Sequence, residues 1–204
     1  MTETTTTPDG PPADTASSRW PARIGVAIVG LVLLGLVIVL VRSVGDDDTR
    51  VSSPLLDQVA PEVVSPTLDG GEYDLDDRRG QWVVVNFFAS WCVPCRNEHP
   101  ELMAFAEAHE PIGDASVVSV LINDEPADAA AFFAEHGGDW PVLTDPEGQT
   151  VVDFGVTAPP ESYLIAPSGV VAAAWIGQVT QEQLDGVIAE LSGSAGADGG
   201  EQGG

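Results

Sequence analysis

The sequence predicts an α/β domain built on a sheet of mixed strand direction. Two unbroken apolar runs of strand length carry the prediction, residues 82–88 (WVVVNFF) and 116–122 (SVVSVLI). A strand buried on both faces has no polar side, so it reads as a continuous run. Helical patterns follow each run, the arrangement that yields parallel strands. Two runs joined by a tight turn, then a last helix, close the stretch, and such a hairpin adds antiparallel strands.

The elements follow in chain order. Residues 61–75 hold two short alternating runs around Leu68-Asp69-Gly70-Gly71, a turn sequence, and read as a hairpin. After the first buried run comes a helix with Leu102, Phe105, Ala106 and His109 on one face, ending near Pro111. Residues 127–136 read as a helix with Pro126 in its first turn, Asp124 as its cap, and Gly137-Gly138 as its stop. A short strand is expected over 140–144 and a short helix over 149–154. Residues 162–166 and 170–176 flank Pro167-Ser168-Gly169, a second hairpin. The final helix starts at Thr180, where Thr180 and Gln183 form a capping box, and Leu184, Val187, Ile188 and Leu191 make its buried stripe.

Around this domain, placed at 57–191, the composition changes. Residues 1–23 begin with Thr, Pro, Asp and Ser and are expected to be a disordered cytoplasmic tail. Residues 24–41 carry no charged or hydrogen-bonding side chain. As a helix they would span roughly 27 Å, close to the hydrocarbon thickness of a bilayer. Arg19 and Arg23 precede the span, and its position ahead of one large domain favours the N-terminus inside and the domain outside the cytoplasm. A cleaved signal peptide ending at Gly45 is the rival; the apolar run is longer than such peptides use, which favours an uncleaved anchor. Residues 42–56 read as a linker and 192–204 as a Gly-rich flexible tail.

Charge excludes some functions. The chain has seven Arg, no Lys and 32 acidic residues, a net −25, and residues 54–191 hold 24 of those acids against three Arg. Such a surface repels phosphate backbones, so nucleic acid is excluded as a partner.

The chemistry concentrates in Asn86-Phe-Phe-Ala-Ser-Trp91-Cys92-Val-Pro-Cys95-Arg-Asn-Glu98-His-Pro100, which holds both cysteines of the chain. Cys92 falls where a buried strand passes into a helix, so free N–H groups and the helix dipole favour its thiolate. Cys95, one turn on, is placed to attack a mixed disulfide on Cys92; an exposed attacking thiol and a buried resolving thiol suit thiol–disulfide exchange. Other uses fit less well. A structural disulfide closing so small a loop constrains the unfolded chain little. Haem attachment needs His after the second Cys, where Arg96 stands. Zinc needs four ligands, and Cys92, Cys95 and His99 supply three at most, so no metal is expected.

The segment VVVNFFASWCVPCRNEHP resembles the active-site segment of the TlpA/ResA/DsbE-type proteins, membrane-anchored thioredoxin-like reductases. Two further stretches share the likeness: Ala60-Pro61 before the first hairpin, and Gly155-Val156-Thr-Ala-Pro-Pro160-Glu161-Ser-Tyr-Leu-Ile165. The resemblance implies a thioredoxin-like fold with an N-terminal hairpin and a helix–strand insert, for which 123–146 is the candidate. It implies that Pro160 is the cis-proline beside the thiols. Pro159, at the position that meets an extended substrate strand, has no N–H to offer; it is the other candidate for the cis role, and spacing from Glu161 favours Pro160. Glu98 matches an acid close to the thiols that can disfavour the Cys92 thiolate or relay a proton to or from Cys95. Glu161 is expected as a second acid facing the site, and Trp91 as a shield over Cys92. Asn86 stands where thioredoxins carry a buried Asp, which shifts proton transfer toward Glu98. His99, His109 and His136 are expected in core or surface roles.

The function expected from the resemblance is a membrane-anchored, extracytoplasmic thiol–disulfide oxidoreductase, acting as a reductant. Its implied substrate is apocytochrome c or a copper-site dithiol, and its electron donor a membrane-embedded thiol protein. No cofactor is expected beyond a redox-active Cys92–Cys95 disulfide. The alternatives are a thiol peroxidase, disfavoured because Ala89 occupies the position where such sites favour a hydroxyl, and a copper chaperone using the cysteine pair with His99.

Overall fold

The structure, a computed structural model, describes residues 30–35 and 50–198, with side chains to 193. The chain divides into two compact units, residues 1–48 and 49–204. Of the first, residues 30–35 are helical. Among the described residues no helix is long and apolar enough to cross a membrane, and the rest of the expected 24–41 span lies outside them.

The second unit is thioredoxin-like in architecture. Its hairpin strands are β1 (Val64–Pro66) and β2 (Glu72–Asp74), antiparallel, with a 3-10 turn at Asp76–Arg78. There follow β3 (Trp82–Phe88), α1 (Val93–His109), β4 (Ala115–Leu121), α2 (Pro126–His136), β5 (Val142–Leu143), α3 (Gln149–Phe154), β6 (Glu161–Ile165), β7 (Val171–Ile176) and α4 (Gln181–Asp198). The five-stranded sheet has the order β5-β4-β3-β6-β7. β3, β4 and β5 are parallel, while β6 and β7 run antiparallel to their neighbours.

β3 is central because all seven of its residues are buried, so each face needs cover. Trp82, Val84 and Phe88 join Leu102, Phe105, Phe132 and Leu184 in a cluster under α1, α2 and α4. Val83, Val85 and Phe87 join Val63, Tyr73, Phe154 and Tyr163 in a second cluster under the hairpin and α3. Period-two alternation therefore points Asn86, between Val85 and Phe87, at the α1 side.

Both sheet edges are closed by chain from the N-terminal side, which removes unpaired ladder groups. At the β5 edge Leu68 N–H donates to Val142 O at 2.8 Å and Thr144 N–H to Pro66 O at 2.9 Å. At the β7 edge Val51 N–H donates to Ala174 O at 2.9 Å and Asp57 N–H to Val171 O at 3.0 Å. This corrects the expected linker: residues 50–56 lie along the domain, with Leu55 and Leu56 packed against the second cluster. The edge of β7 supplies the hydrogen-bonding groups that hold them.

Two further expectations change. α4 continues past Leu191 to Asp198; once the capped turn has nucleated, each added residue gains a hydrogen bond, which offsets the roughly 1 kcal/mol cost of Gly193 and Gly196. Asp124 does not cap α2, whose N-cap is Glu125 without a side-chain bond. Its carboxylate turns instead to the end of β3.

Candidate active site

The redox pair sits at the carboxyl end of β3, where the sheet hands the chain to α1. Cys92 is the N-cap of α1, in extended conformation, and its Sγ accepts the N–H of Cys95 at 3.1 Å. Cys92 N–H donates to Ala89 O at 3.1 Å, which closes the turn before the helix. The two sulfurs form a disulfide. Both cysteines are buried, Cys92 at 3% exposure and Cys95 at 1%. The expectation of an exposed Cys92 thus fails for the oxidised form. The pair belongs to the same apolar cluster as Phe88, Ala89 and Leu102, while the neighbouring Trp91 and Val93 face outward.

Glu98 lies one turn beyond Cys95 and is 1% exposed, on the buried stripe that runs through Cys95, Leu102 and Phe105. Asn86 Nδ2 donates to its Oε1 at 2.8 Å, and Val179 N–H donates to its Oε2 at 3.1 Å. Burial pushes the carboxyl up to about 7, against the pull of those two hydrogen bonds. Asn86 also donates to Ser162 Oγ at 3.0 Å, while its own Oδ1 has no partner. One buried network therefore joins α1, β3, β6 and the segment leading into α4.

The Pro159–Pro160 peptide is cis. Phe87 pairs with Glu161 across β3 and β6, so Pro160 stands level with Phe88 at the sheet end that carries the redox turn. Its carbonyl accepts Gly177 N–H at 2.9 Å. The loop begins at Gly155, at φ 70°, where a Cβ would be strained. Pro160 is buried and Pro159 half-buried.

The remaining predicted residues fall in different places. Glu161 is buried, and its Oε1 accepts Thr157 N–H at 3.0 Å and Ala158 N–H at 3.4 Å. Alternation along β6 puts it on the face of Tyr163 and Ile165, opposite Glu98, so it holds the proline loop from the other side of the sheet. Trp91 is 57% exposed, with its indole N–H donating to Asn123 O at 2.9 Å. His99 is buried among Phe132, Phe133 and Trp140, its Nε2 paired with Gly137 O at 3.0 Å. A copper site with the cysteines would require that ring to leave its cage. His109 sits between Asp114 and Asp185, each at 2.9 Å, and His136 stacks on Phe132. Among the described residues no group of three or more His, Cys, Asp or Glu could hold a metal ion.

Sequence reasoning missed Ser162, Val179 and the turn of Asp124 toward Ser90. Ser162 was detectable, since its parity on β6 puts it on the face that Asn86 presents. Val179 contributes only a backbone N–H, which no side-chain pattern reveals.

The sequence profile of the AhpC/TSA family matches residues 56–174. The chain belongs to this family. Within it the chain is similar to thiol:disulfide interchange proteins. It is 37% identical over 140 residues to a DsbE homologue of Paracoccus denitrificans, covering 67% of this chain and 75% of that one. It is 31% identical over 180 residues to DsbE of Allochromatium vinosum, covering 85% and 93%. Among solved structures, a DsbE-like thiol:disulfide interchange protein from Chlorobium tepidum superposes with a TM-score of 0.61 at 32% identity, covering 68% of this chain and 98% of the other. This AhpC/TSA-family chain is a thiol–disulfide oxidoreductase of the DsbE type, and its Cys92–Cys95 pair is the dithiol couple such chemistry requires.

Proposed function

We propose that the chain is a membrane-anchored reductant of protein disulfides outside the cytoplasm, serving apocytochrome c or another dithiol that must be kept reduced. The observation that carries the reading is the buried carboxyl of Glu98 one turn from Cys95, beside a disulfide at a helix N-terminus. In the reduced protein Cys92 attacks one sulfur of the substrate disulfide. That bond breaks, a mixed disulfide forms, and the other substrate sulfur leaves as a thiolate. Cys95 then gives its proton to Glu98 and attacks Cys92 Sγ. The mixed disulfide breaks, the second substrate thiolate leaves, and the Cys92–Cys95 bond forms. Two electrons pass to the substrate, and a membrane-embedded thiol donor restores the dithiol.

A group with a pKa near the working pH both takes and returns a proton readily, which suits Glu98 to this step. Pro160 lines the approach to the pair, with Trp91, Pro159 and Glu161 shaping the surface or loop that meets the substrate. Residues 24–41 serve as the uncleaved anchor, with the N-terminus cytoplasmic. Three observations support this. The span is free of charge, and Leu31–Leu34 expose their apolar side chains on a helical segment. The match to the Allochromatium protein, at 85% of the chain, also covers more than residues 50–204 can supply.

The test is insulin-disulfide reduction and partner trapping. Wild type should reduce insulin, and Cys92→Ser should lose the activity. Cys95→Ser should hold its partner as a mixed disulfide on Cys92. Recovery of c-type apocytochromes or copper-site proteins supports the reading; recovery only of unrelated secreted proteins would overturn the assigned substrate class.

A further inference from the structure

The β4–α2 loop grips the turn ahead of Cys92, and the exchange mechanism above makes no use of it. β3 and β4 run parallel with Phe88 level with Leu121, and Ile122 N–H still donates to Phe88 O at 3.0 Å. Beyond that point the ladder stops and side chains take over. Asp124 Oδ2 accepts Ser90 N–H at 2.6 Å, and Oδ1 accepts the Ser90 hydroxyl at 3.0 Å. Oδ1 also takes Glu125 N–H at 3.0 Å. The preceding carbonyl, of Asn123, accepts the Trp91 indole N–H at 2.9 Å. Asn123 itself adopts φ 49°, the left-handed region that Asn tolerates better than most residues.

Ser90 has left the sheet, so its N–H has no strand partner and needs another acceptor. A carboxylate meets both of its donors with charge-assisted bonds, about twice as strong as neutral ones. Cys92 follows two residues later, its N–H tied back to Ala89, so the place of its sulfur depends on where this turn is held.

We propose that Asp124, together with the Asn123 carbonyl, is a positioning residue for Cys92, anchoring the Ser90–Trp91 turn so that the attacking sulfur stays at the N-terminus of α1. The inference rests on the reading of Cys92 as the attacking thiol. It assigns Asp124 a role in the exchange reaction that capping of α2 does not include.

The experiment compares Asp124→Asn and Asp124→Ala in the full chain. Asn keeps the Ser90 N–H bond through Oδ1, and its amide can donate to the Ser90 hydroxyl, which reverses its role, so it keeps both bonds to Ser90 and gives up only the Glu125 N–H bond. Ala removes all three. The first readout is Trp91 emission in the oxidised protein, taken as the difference from the same protein carrying Trp91→Phe. It should shift in Asp124→Ala and match wild type in Asp124→Asn. The second is the insulin-reduction rate, expected to fall about tenfold in Asp124→Ala, as misplacement of a reacting group costs, and to return within about twofold in Asp124→Asn. Unchanged Trp91 emission in Asp124→Ala overturns the proposal. Equal losses in Asn and Ala also overturn it, because charge and not position would then be what matters. If Asp124→Ala fails to fold, Ser90→Ala removes one of the two bonds and takes its place under the same criteria. Should wild type itself not reduce insulin, the exchange reading fails, while the emission comparison still decides the clamp.

Discussion

Burial raises the Glu98 carboxyl, and the consequence for stability has a definite sign. Burial raises its folded pKa to about 7, well above the ordinary value near 4.5. The folded state therefore holds a proton that the unfolded state has released across that window. Stability from this group is full below pH 4.5 and is lost as pH rises to about 7, by on the order of 3 kcal/mol. Glu98→Gln should remove that fall. The Asn86 Oδ1, which lacks a partner, can rotate to accept the new amide. Denaturant unfolding of both oxidised proteins at pH 5 and pH 8 checks this, and an equal pH dependence in the two would count against it. His109, held above its usual value by Asp185 and Asp114 despite the opposing effect of burial, loses stabilisation in the same direction as pH rises. The difference between the two proteins cancels that contribution. In catalysis, wild-type reduction should rise through about pH 7 as Glu98 becomes able to take the Cys95 proton, and Glu98→Gln should lose that inflection and accumulate the mixed disulfide. The cysteines were legible from their place between strand and helix, and Glu98 and Pro160 from the family resemblance of the two segments that hold them; the structure places Glu98 one turn beyond Cys95 and makes the Pro159–Pro160 peptide cis. That Glu98 and Glu161 face opposite sides of the sheet was not legible, because β6 had first to be set in register against β3.

At the scale of elements, local chemistry predicted boundaries well wherever a cap or a breaker marks them. The Thr180–Gln183 box forms reciprocally: Gln183 N–H donates to Thr180 Oγ1 at 3.3 Å and Thr180 N–H to Gln183 Oε1 at 3.0 Å. Thr180→Ala should cost about 1 kcal/mol of domain stability, and it should leave the insulin-reduction rate of the folded protein unchanged. A loss below about 0.3 kcal/mol in denaturant unfolding would show that the box is redundant with the packing of Leu184 and Val187. Asp124 shows the limit of the same reasoning. Its sequence position fits a cap, but Ser90 competes for the carboxylate, and only the parallel pairing of β3 with β4 brings those two loops together. α1 is continuous through Pro100. A proline costs a helix one hydrogen bond and a clash, and here the buried stripe from Cys95 to Ala106 keeps the helix on the sheet.

At the scale of the molecule, the −25 charge predicts how partners approach. An acidic field attracts cationic proteins such as a basic apocytochrome and repels anionic ones, and salt screens it within about 8–10 Å. Reduction of a basic substrate should therefore slow as ionic strength rises from about 0.01 to 0.15 M, while reduction of a small neutral disulfide should not. Equal salt responses would remove the steering role. Composition and apolar periodicity were enough to specify the α/β class and the strands at 82–88 and 161–165 within a residue, because those are properties of neighbours along the chain; the dithiol chemistry needed the place of the C-x-x-C between strand and helix and the family resemblance as well. The tertiary structure decided what depends on residues far apart meeting: the burial of Glu98 under Asn86 and Val179, the closure of both sheet edges by residues 50–68, and the grip of Asp124 on Ser90. Each is set by the register and layering of strands, and a residue's protonation and hydrogen-bond partners follow from which face it is packed on.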